Sequence, residues 1–261
     1  MAFHAARTVV QKIGMSVSRR VFTARFLSHP WGKRFYLFLY GSYKSFFDSE
    51  DLKKVRPFIR PGSTVVDIGA NVGFSTRVFC HAVGPTGWVA AFEPDPMVGD
   101  LFRFNLDRAH CQNVRFYSLA LGEREADVPF YQNPSNRADN RMVEDPAMAG
   151  AQRLTVHMKT LSAVIAEEPD RFHDVSLVKI DVQGYESRVI AGMESWLAHL
   201  LKKPVLYLEI WPKGLDACGS SAEDLFHLLE RMGYGCGEAR AAVQTLRGPD
   251  DYTDVIFLPS T

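Results

Sequence analysis

The segment 67–73, with the sequence DIGANVG, constrains the fold of this chain more than any other feature. It begins at the end of the segment 64–68, TVVDI, which is typical of a buried strand, and it leads into a helical apolar pattern over about 73–83. Gly69 allows a tight turn and a close approach of the backbone to a ligand. Gly73 lets the following helix pack near the strand. The segment therefore predicts a strand–turn–helix unit with a ligand site at the turn.

The same alternation of strands and helices continues along the chain. Strands are predicted at 64–68, 88–92, 114–117, 176–181 and 205–209, with a closing pair near 234–240 and 252–258. Helices are predicted at 49–59, 73–83, 95–108, 185–196 and 222–232, and a hairpin is predicted at 128–131 and 154–158. This order predicts an α/β fold with a seven-stranded, mostly parallel sheet covered by helices on both faces. In such sheets, ligands bind beyond the carboxyl ends of the strands, where the strand order reverses.

The residues after the first two strands favour S-adenosylmethionine as the cofactor. Gly69 and Gly73 are spaced G-x-x-x-G, whereas dinucleotide sites use G-x-G-x-x-G to hold a pyrophosphate, which S-adenosylmethionine lacks. An acidic residue near the positive end of the cofactor suits it, and we expect Asp67 to fill that role directly or through water. Glu93 ends the second strand, where a carboxylate accepts hydrogen bonds from ribose hydroxyls. The adenine ring is expected at the end of the third strand. The predicted cofactor contacts are Asp67, Gly69, Ala70, Asn71, Gly73, Glu93, Ser118 and Ala120.

Four segments of the chain resemble motifs of the FkbM-type methyltransferases. Residues 65–74 are similar to the first motif of that family, and 92–94 to the second. Residues 178–186, VKIDVQGYE, resemble the family's K-I-D-V-E-G-x-E segment, and 208–210 resembles a late strand. The likeness covers about 48–258.

The resemblance implies a class I, Rossmann-like methyltransferase fold with S-adenosylmethionine as cofactor. It implies O-methylation, commonly of a sugar or polyketide hydroxyl, so a glycan, glycolipid or polyketide-like acceptor is expected. Gln183 departs from the pattern, because the family often has Glu there. The departure removes a charge beside the predicted active site and makes a role for position 183 as a base doubtful.

Three side chains near the ends of late strands are predicted to take part in catalysis. Asp181 is the first candidate for a general base that takes the proton of the acceptor hydroxyl. Lys179 lies two residues earlier, so both side chains point to one face of the sheet. It either orients Asp181 or binds acceptor oxygens, or the two simply neutralise each other. Glu209 is the second candidate base, and Trp211 beside it could stack on a sugar face.

No metal site is predicted. Asp181 and Glu209 together could hold a magnesium ion through oxygen ligands, but two carboxylates in an active site more often act as acid–base or binding groups. The four cysteines form no CxxC pair and indicate free thiols. The histidines, such as His81 and His110, are not spaced like metal ligands.

The N-terminal arm, residues 1–47, carries eight Lys and Arg residues and no Asp or Glu. We predict two parts for the chain: this basic amphipathic arm and a methyltransferase domain at 48–261. The arm combines a helical apolar stripe over 7–27 with the aromatic run 35–40, a combination that suits contact with an anionic membrane surface. The alternatives are a helical lid packed on the domain and an organellar transit peptide. The expected location is cytoplasmic and peripheral to a membrane, or organellar in the last case.

Two other functions compete with O-methylation. The first is a methyltransferase acting on nitrogen of protein or nucleic acid, but the motif common in that group, N or P followed by P and an aromatic residue, is absent after the fourth parallel strand. No nucleic-acid partner is therefore expected. The second is a non-catalytic module that binds S-adenosylmethionine. The presence of Asp67, Glu93 and Asp181 argues against a lost site.

Overall fold

In the computed structural model, the described residues are 24–47, 49–133, 139–145, 148 and 150–260. The strands are β1 (Thr64–Ile68), β2 (Trp88–Phe92), β3 (Val114–Tyr117), β4 (Ala120–Leu121), β5 (Ala126–Gln132), β6 (Gln152–Lys159), β7 (Val175–Ile180), β8 (Val205–Ile210) and β9 (Thr253–Phe257). The helices are α1 (Ala24–Leu27), α2 (Pro30–Phe47), α3 (Ser49–Val55), α4 (Phe74–Val83), α5 (Pro96–Arg108), α6 (Leu161–Glu167), α7 (Glu186–Ala191), α8 (Glu194–Ala198), α9 (Pro212–Ala217), α10 (Ala222–Arg231) and α11 (Gly237–Gln244). Most of the helix predicted at 7–27 lies outside the described residues.

The main sheet has the order β3-β2-β1-β7-β8-β9, and every neighbouring pair is parallel except β8 and β9. The predicted parallel α/β fold is confirmed, but the described sheet has six strands instead of seven. The prediction of a strand at 234–240 is wrong. Residues Gly237–Gln244 form α11, because Ala239, Ala242 and Val243 are spaced to pack one helical side against the core. Only an isolated bridge between Tyr234 and Pro259 is left of the predicted pairing.

Two other predicted elements differ in detail. The helix predicted at 185–196 is interrupted between α7 and α8 at Gly192, where a Cβ atom would lie 2.0 Å from the carbonyl oxygen of Gly122. The hairpin is confirmed: β5 and β6 pair antiparallel, and β4 joins β6 to make a second sheet of three strands.

Helices cover both faces of the main sheet because its strands are apolar on both sides. Val66 and Ile68 face one core, which includes residues of α6, α7, α8 and α10. Val65 faces the opposite core, with residues of α3 and α4. Alternate residues of a strand point to opposite faces, and each such side chain contributes roughly 1.5–3 kcal/mol on burial. Asp67 points to the same face of the sheet as Val65, so its carboxylate is buried between the sheet and the helices on that face.

The aromatic run of the arm is helical and lies in α2. Tyr36, with Leu37 and Tyr40 beside it, packs in a cluster that contains Val72 of the 67–73 turn and Val98 of α5. This side of α2 matches the predicted alternative of a lid packed on the domain. Over the described residues, no helix has both the length and the apolar character needed to cross a bilayer.

Gly69 shows how closely the turn approaches the neighbouring strand. Its φ is +73°, and a Cβ atom there would lie 1.9 Å from the carbonyl oxygen of Asp181, which follows β7. A substitution must therefore displace backbone as well as strain φ.

We expect Gly69→Ala to lower the free energy of unfolding by about 2–4 kcal/mol, measured by urea denaturation. Gly219→Ala is the matched control, because Gly219 also has a positive φ (+74°) and has only the end of the Arg188 side chain, 3.8 Å away, near the added Cβ. It should cost about 1–2 kcal/mol. Equal losses in the two variants would contradict the proposed backbone contact.

Candidate active site

Polar groups from four strands meet at one edge of the main sheet. The 67–73 turn follows β1, Glu93 follows β2, Asp181 follows β7, and Glu209 lies at the end of β8. These strands run in parallel, so their carboxyl ends share an edge, and the strand order reverses between β1 and β7. The structure therefore brings most of the predicted site residues to the place where such sheets bind ligands.

Glu93 is bonded directly to the 67–73 turn. Its Oε2 accepts a hydrogen bond from the backbone N–H of Asn71 at 3.1 Å, and its Oε1 accepts one from the N–H of Asp95 at 2.9 Å. Asn71 has a φ of +49°, in the left-handed region that Asn tolerates better than most residues. The N–H groups of Gly69 and Ala70 both donate to the carbonyl oxygen of Phe92 at 3.0 Å. Turn and carboxylate thus form one rigid unit.

The pKa of Glu93 is raised to about 8, mainly by burial and in smaller part by the nearby carboxylate of Asp95. The two backbone N–H donors and the charge of Lys179 act in the opposite direction. Because an ionised carboxylate only accepts hydrogen bonds, the predicted bonds to both ribose hydroxyls are strongest after the loss of this proton.

Lys179 joins the turn to the end of β7. Its Nζ lies 3.4 Å from Oδ1 of Asp67 and 3.4 Å from Oδ2 of Asp181, and it donates to the carbonyl oxygen of Gly69 at 3.0 Å. Asp67 and Lys179 are register partners on neighbouring strands, so their side chains share a face. Among the alternatives for Lys179, these contacts support a role in orienting and neutralising carboxylates.

Asp67 differs from its prediction. The residue is completely buried, and its Oδ2 accepts a hydrogen bond from Oγ1 of Thr76 on α4 at 2.6 Å. With no exposed atom, it cannot touch a cofactor in this arrangement and instead supports the turn from below. Gly73 was expected to allow close packing against the strand β1. Its close neighbours are instead Phe102 and Leu106 of α5, with which an added Cβ atom would collide.

Gln183 links the two candidate bases. Its Nε2 donates to Oδ1 of Asp181 at 3.0 Å and to Oε1 of Glu209 at 2.8 Å. The amide nitrogen must face the carboxylates, since ionised carboxylates only accept hydrogen bonds. A donor therefore stands between the two groups that were considered as magnesium ligands. A Glu at this position would add a third negative charge and raise the pKa values of its neighbours.

Glu186 holds the loop that presents Gln183. Its Oε1 accepts hydrogen bonds from the N–H groups of Val182 at 3.1 Å and Gly184 at 3.2 Å. Burial raises the pKa of this carboxyl to about 7. The loop includes a φ of +54° at Gln183, a conformation that persists only where surrounding contacts enforce it. Glu186 thus acts on backbone N–H groups, as expected for a carboxylate at the start of a helix.

Of three residues at the rim, Ser118 lies where it was predicted, and Ala120 and Trp211 differ from their predictions. Ser118 is exposed just beyond β3, where the adenine ring is expected. Ala120 is instead buried in the core of the small sheet with Val128 and Met158. Trp211 is not open for stacking on a sugar, because the Arg141 guanidinium lies 4.4 Å from its ring centroid and the residue is buried.

Polar residues that were not predicted from the sequence connect the end of β5 and the segment after it to the site by hydrogen bonds. Oδ2 of Asp95 accepts hydrogen bonds from the side chains of Gln132 and Asn140, each at 2.7 Å. Arg141, next in the chain, rests on Trp211 after β8. The segment thus contacts residues at the ends of both β2 and β8. Asp95 carried one sequence signal, since it directly precedes Pro96, and it caps α5 by accepting from the N–H of Met97 at 2.8 Å.

Comparison with known families and sequences gives a consistent result. The family model described as the methyltransferase FkbM domain matches residues 67–236. The 31-O-demethyl-FK506 methyltransferase FkbM of Streptomyces tacrolimicus is 32% identical over 164 residues, covering 52% of this chain and 61% of the relative. The 2-O-methyltransferase NoeI of Sinorhizobium fredii is 29% identical over 147 residues, covering 51% and 58%. The chain spans about three fifths of the length of these relatives.

Solved structures are similar at lower identity. The methyltransferase FkbM of Methylobacillus flagellatus has a TM-score of 0.41 and 15% identity, covering 87% of this chain and 53% of that one. The O-methyltransferase of Bacillus cereus in complex with SAH has a TM-score of 0.46 and 11% identity, covering 95% and 98%.

We expect binding of S-adenosylmethionine to tighten as the pH rises through about 8, because the ionised form of Glu93 accepts the ribose hydrogen bonds. With a pKa of about 8, the binding-competent fraction at pH 7 is about one tenth, so the apparent Kd should be about tenfold weaker than at pH 9. Calorimetric titration at several pH values measures this. Glu93→Gln should bind more weakly and lose the pH dependence, and an equal slope in the variant would contradict the assignment.

Proposed function

Because the chain belongs to the FkbM methyltransferase family, we propose that it moves the methyl group of S-adenosylmethionine to a hydroxyl oxygen of a small-molecule or lipid-linked acceptor. S-adenosylmethionine is the cofactor of this family and supplies, when bound, a methyl group activated on a sulfonium. Two of the relatives are named for O-methylation. The observation that carries the proposal is the bridged pair of carboxylates, Asp181 and Glu209, at the edge of the sheet that also holds the 67–73 turn.

The residues at this edge fit the cofactor. Each carboxylate oxygen of Glu93 accepts one backbone hydrogen bond, which leaves each oxygen a lone pair for a ribose hydroxyl. Asp67 and Asp181 lie beside Lys179, and Glu209 lies beside Gln183. Acidic groups therefore outnumber the lysine at this edge, an arrangement that suits a positively charged ligand. The glycine turn brings backbone close to the space above β1.

Asp181 is proposed as the general base. Its side chain is 26% exposed, so it remains accessible to an acceptor. Lys179 and Gln183 each contact one of its oxygens, which fixes the position of the carboxylate. Asp181 would take the proton of the acceptor hydroxyl as that oxygen is methylated. General-base assistance of this kind contributes about 10²- to 10⁴-fold.

Glu209 and Gln183 are proposed to align the acceptor. Glu209 lies on the adjoining strand, β8. The side-chain amide of Gln183 donates a hydrogen bond to it at 2.8 Å and so holds Glu209 near Asp181. An acceptor with neighbouring hydroxyls, such as a sugar or a hydroxylated polyketide, can donate to both carboxylates. Positioning of this sort lowers the barrier without direct chemistry.

We expect Asp181→Asn to lower kcat about 10²- to 10⁴-fold while the Kd for S-adenosylmethionine changes little. Formation of S-adenosylhomocysteine with a panel of mono- and oligosaccharides, glycolipids and hydroxylated polyketides gives the rate, and calorimetry gives the Kd. Asp107→Asn, an exposed change on α5, is the control. Unchanged turnover in Asp181→Asn would refute the assigned base. Cofactor binding without turnover on any acceptor would favour the non-catalytic module.

The exposed side chains of the arm concern the cellular surface at which the protein would bind its acceptor. Trp31, Phe35, Phe38 and Leu39 are 60%, 47%, 69% and 41% exposed, and their spacing of i, i+4, i+7 and i+8 puts them on one side of α2. Arg34 lies among them. Aromatic side chains beside cations suit the interface of an anionic bilayer, and each Lys or Arg near such a surface contributes about 1 kcal/mol. We therefore propose peripheral attachment to an anionic leaflet, with a lipid-linked acceptor.

Vesicle binding tests this attachment. We expect the protein to sediment with vesicles that contain phosphatidylglycerol, more weakly with pure phosphatidylcholine, and more weakly again at high salt. The double variant Trp31→Ser/Phe38→Ser should bind at least tenfold more weakly, because each aromatic ring contributes roughly 1.5–3 kcal/mol on burial. Leu201→Ser, at an exposed apolar residue between α8 and β8, is the control. Binding that ignores both lipid charge and the double variant would leave the lid as the arm's role.

A further inference from the structure

Three side chains with metal-ligating atoms meet near the amino ends of β2 and β3, away from the candidate active site. Cys80 and His81 lie in the last turn of α4, and Cys111 lies between α5 and β3. One ligand atom from each, two Sγ atoms and a ring nitrogen, lie within 4.8 Å of one another. In the part of the chain that the structure describes, this is the one group of three such side chains at that separation. No metal site is predicted at these residues from the sequence.

The fold holds these residues together through Asn113. Its Nδ2 donates to the carbonyl oxygens of Gly84 at 2.9 Å and Gly87 at 3.2 Å, which fixes the connection from α4 to β2. Its Oδ1 accepts a hydrogen bond from the Sγ–H of Cys80 at 2.9 Å. On the other side, the N–H of Cys111 donates to the carbonyl oxygen of Leu106, the end of α5, at 3.2 Å. The donors therefore come from backbone segments that are fixed with respect to each other.

We propose that Cys80, His81 and Cys111 bind a thiophilic divalent cation, of which Zn²⁺ fits best. Two thiolates and an imidazole form a donor set that Zn²⁺ uses, with a water completing a tetrahedron. Zn–S and Zn–N bonds of about 2.3 and 2.0 Å separate the ligand atoms of a tetrahedron by roughly 3.3–3.8 Å. Because the present separations are within 4.8 Å, the three donors need to close by at most about an ångström. Side-chain rotation of the exposed His81 and the half-buried Cys111 provides this movement.

The ion would act on stability and leave the methyl-transfer site unchanged. It would cross-link the carboxyl end of α4 to the connection between α5 and β3. Those two helices also pack against each other where Gly73, just before α4, meets Phe102 and Leu106 of α5. Binding to the folded state alone raises thermal stability by mass action. The site lies near the starts of the strands, whereas Glu93 and Asp181 follow their ends.

Cobalt substitution tests the site directly. The full chain is prepared without a polyhistidine tag, treated with a chelator and titrated with Co²⁺ under reducing conditions. We expect one equivalent to give a thiolate-to-cobalt charge-transfer band and tetrahedral visible bands, and Zn²⁺ to displace it. Cys111→Ala and His81→Asn should each weaken binding at least tenfold, and Zn²⁺ should raise the Tm of the unaltered protein but not of these variants.

Matched controls separate the site from other thiols and imidazoles. Cys218→Ala removes a buried thiol elsewhere, and His199→Asn removes an exposed histidine, so both should retain cobalt binding. Circular dichroism and S-adenosylmethionine titration establish that Cys111→Ala is folded. Absence of the charge-transfer band, its persistence in Cys111→Ala and His81→Asn, or a Cys80–Cys111 disulfide in place of metal would overturn the proposal. None of these outcomes bears on the proposed methyl transfer.

Discussion

The ammonium group of Lys179 is the contact on which the geometry of the sheet edge depends. It neutralises Asp67 beneath the turn, binds the carbonyl oxygen of Gly69 within the turn, and lies beside Asp181 at the end of the next strand. Removing one partner of a buried ion pair costs about 3–5 kcal/mol, because the other charge is left uncompensated. The charge network therefore links the 67–73 turn to the end of β7, in addition to the pairing of β1 with β7.

The ionisation of the site follows from how its acidic groups are shared. Several carboxylates lie close to a single lysine, and they escape mutual repulsion in different ways. Glu93 is deeply buried and retains a proton to about pH 8. Asp181 and Glu209 are separated by a neutral amide that donates to both. The exchange of Glu for Gln at position 183 thus gives two adjacent carboxylates a shared hydrogen-bond donor in place of a third charge.

Much of the fold and the outline of the site could be predicted from the sequence, because the signals are local. Strands and glycine turns have local sequence patterns. Because ligands bind beyond the carboxyl ends of parallel strands, Glu93 and Asp181 could be predicted as residues of the site. The errors have long-range or ambiguous causes. A segment as short as 234–240 has too few apolar positions for their spacing to distinguish strand from helix. The cover on Trp211 comes from Arg141, 70 residues earlier in the chain, and Cys80 meets Cys111 only through the packing of two helices. No local pattern reports such contacts.

The packing of Tyr36 against Val72 connects the arm to the cofactor turn through shared atoms. Two ligands that both favour one arrangement of a common element strengthen each other's binding by the same factor. Suppose that a membrane surface holds α2 in the position in which Tyr36 packs against Val72. Membrane attachment then increases the affinity for the cofactor by some factor, and the cofactor increases the affinity for the membrane by the same factor. Through the hydrophobic contact of one tyrosine, this enzyme would bind its methyl donor most tightly when it is also attached to a membrane surface.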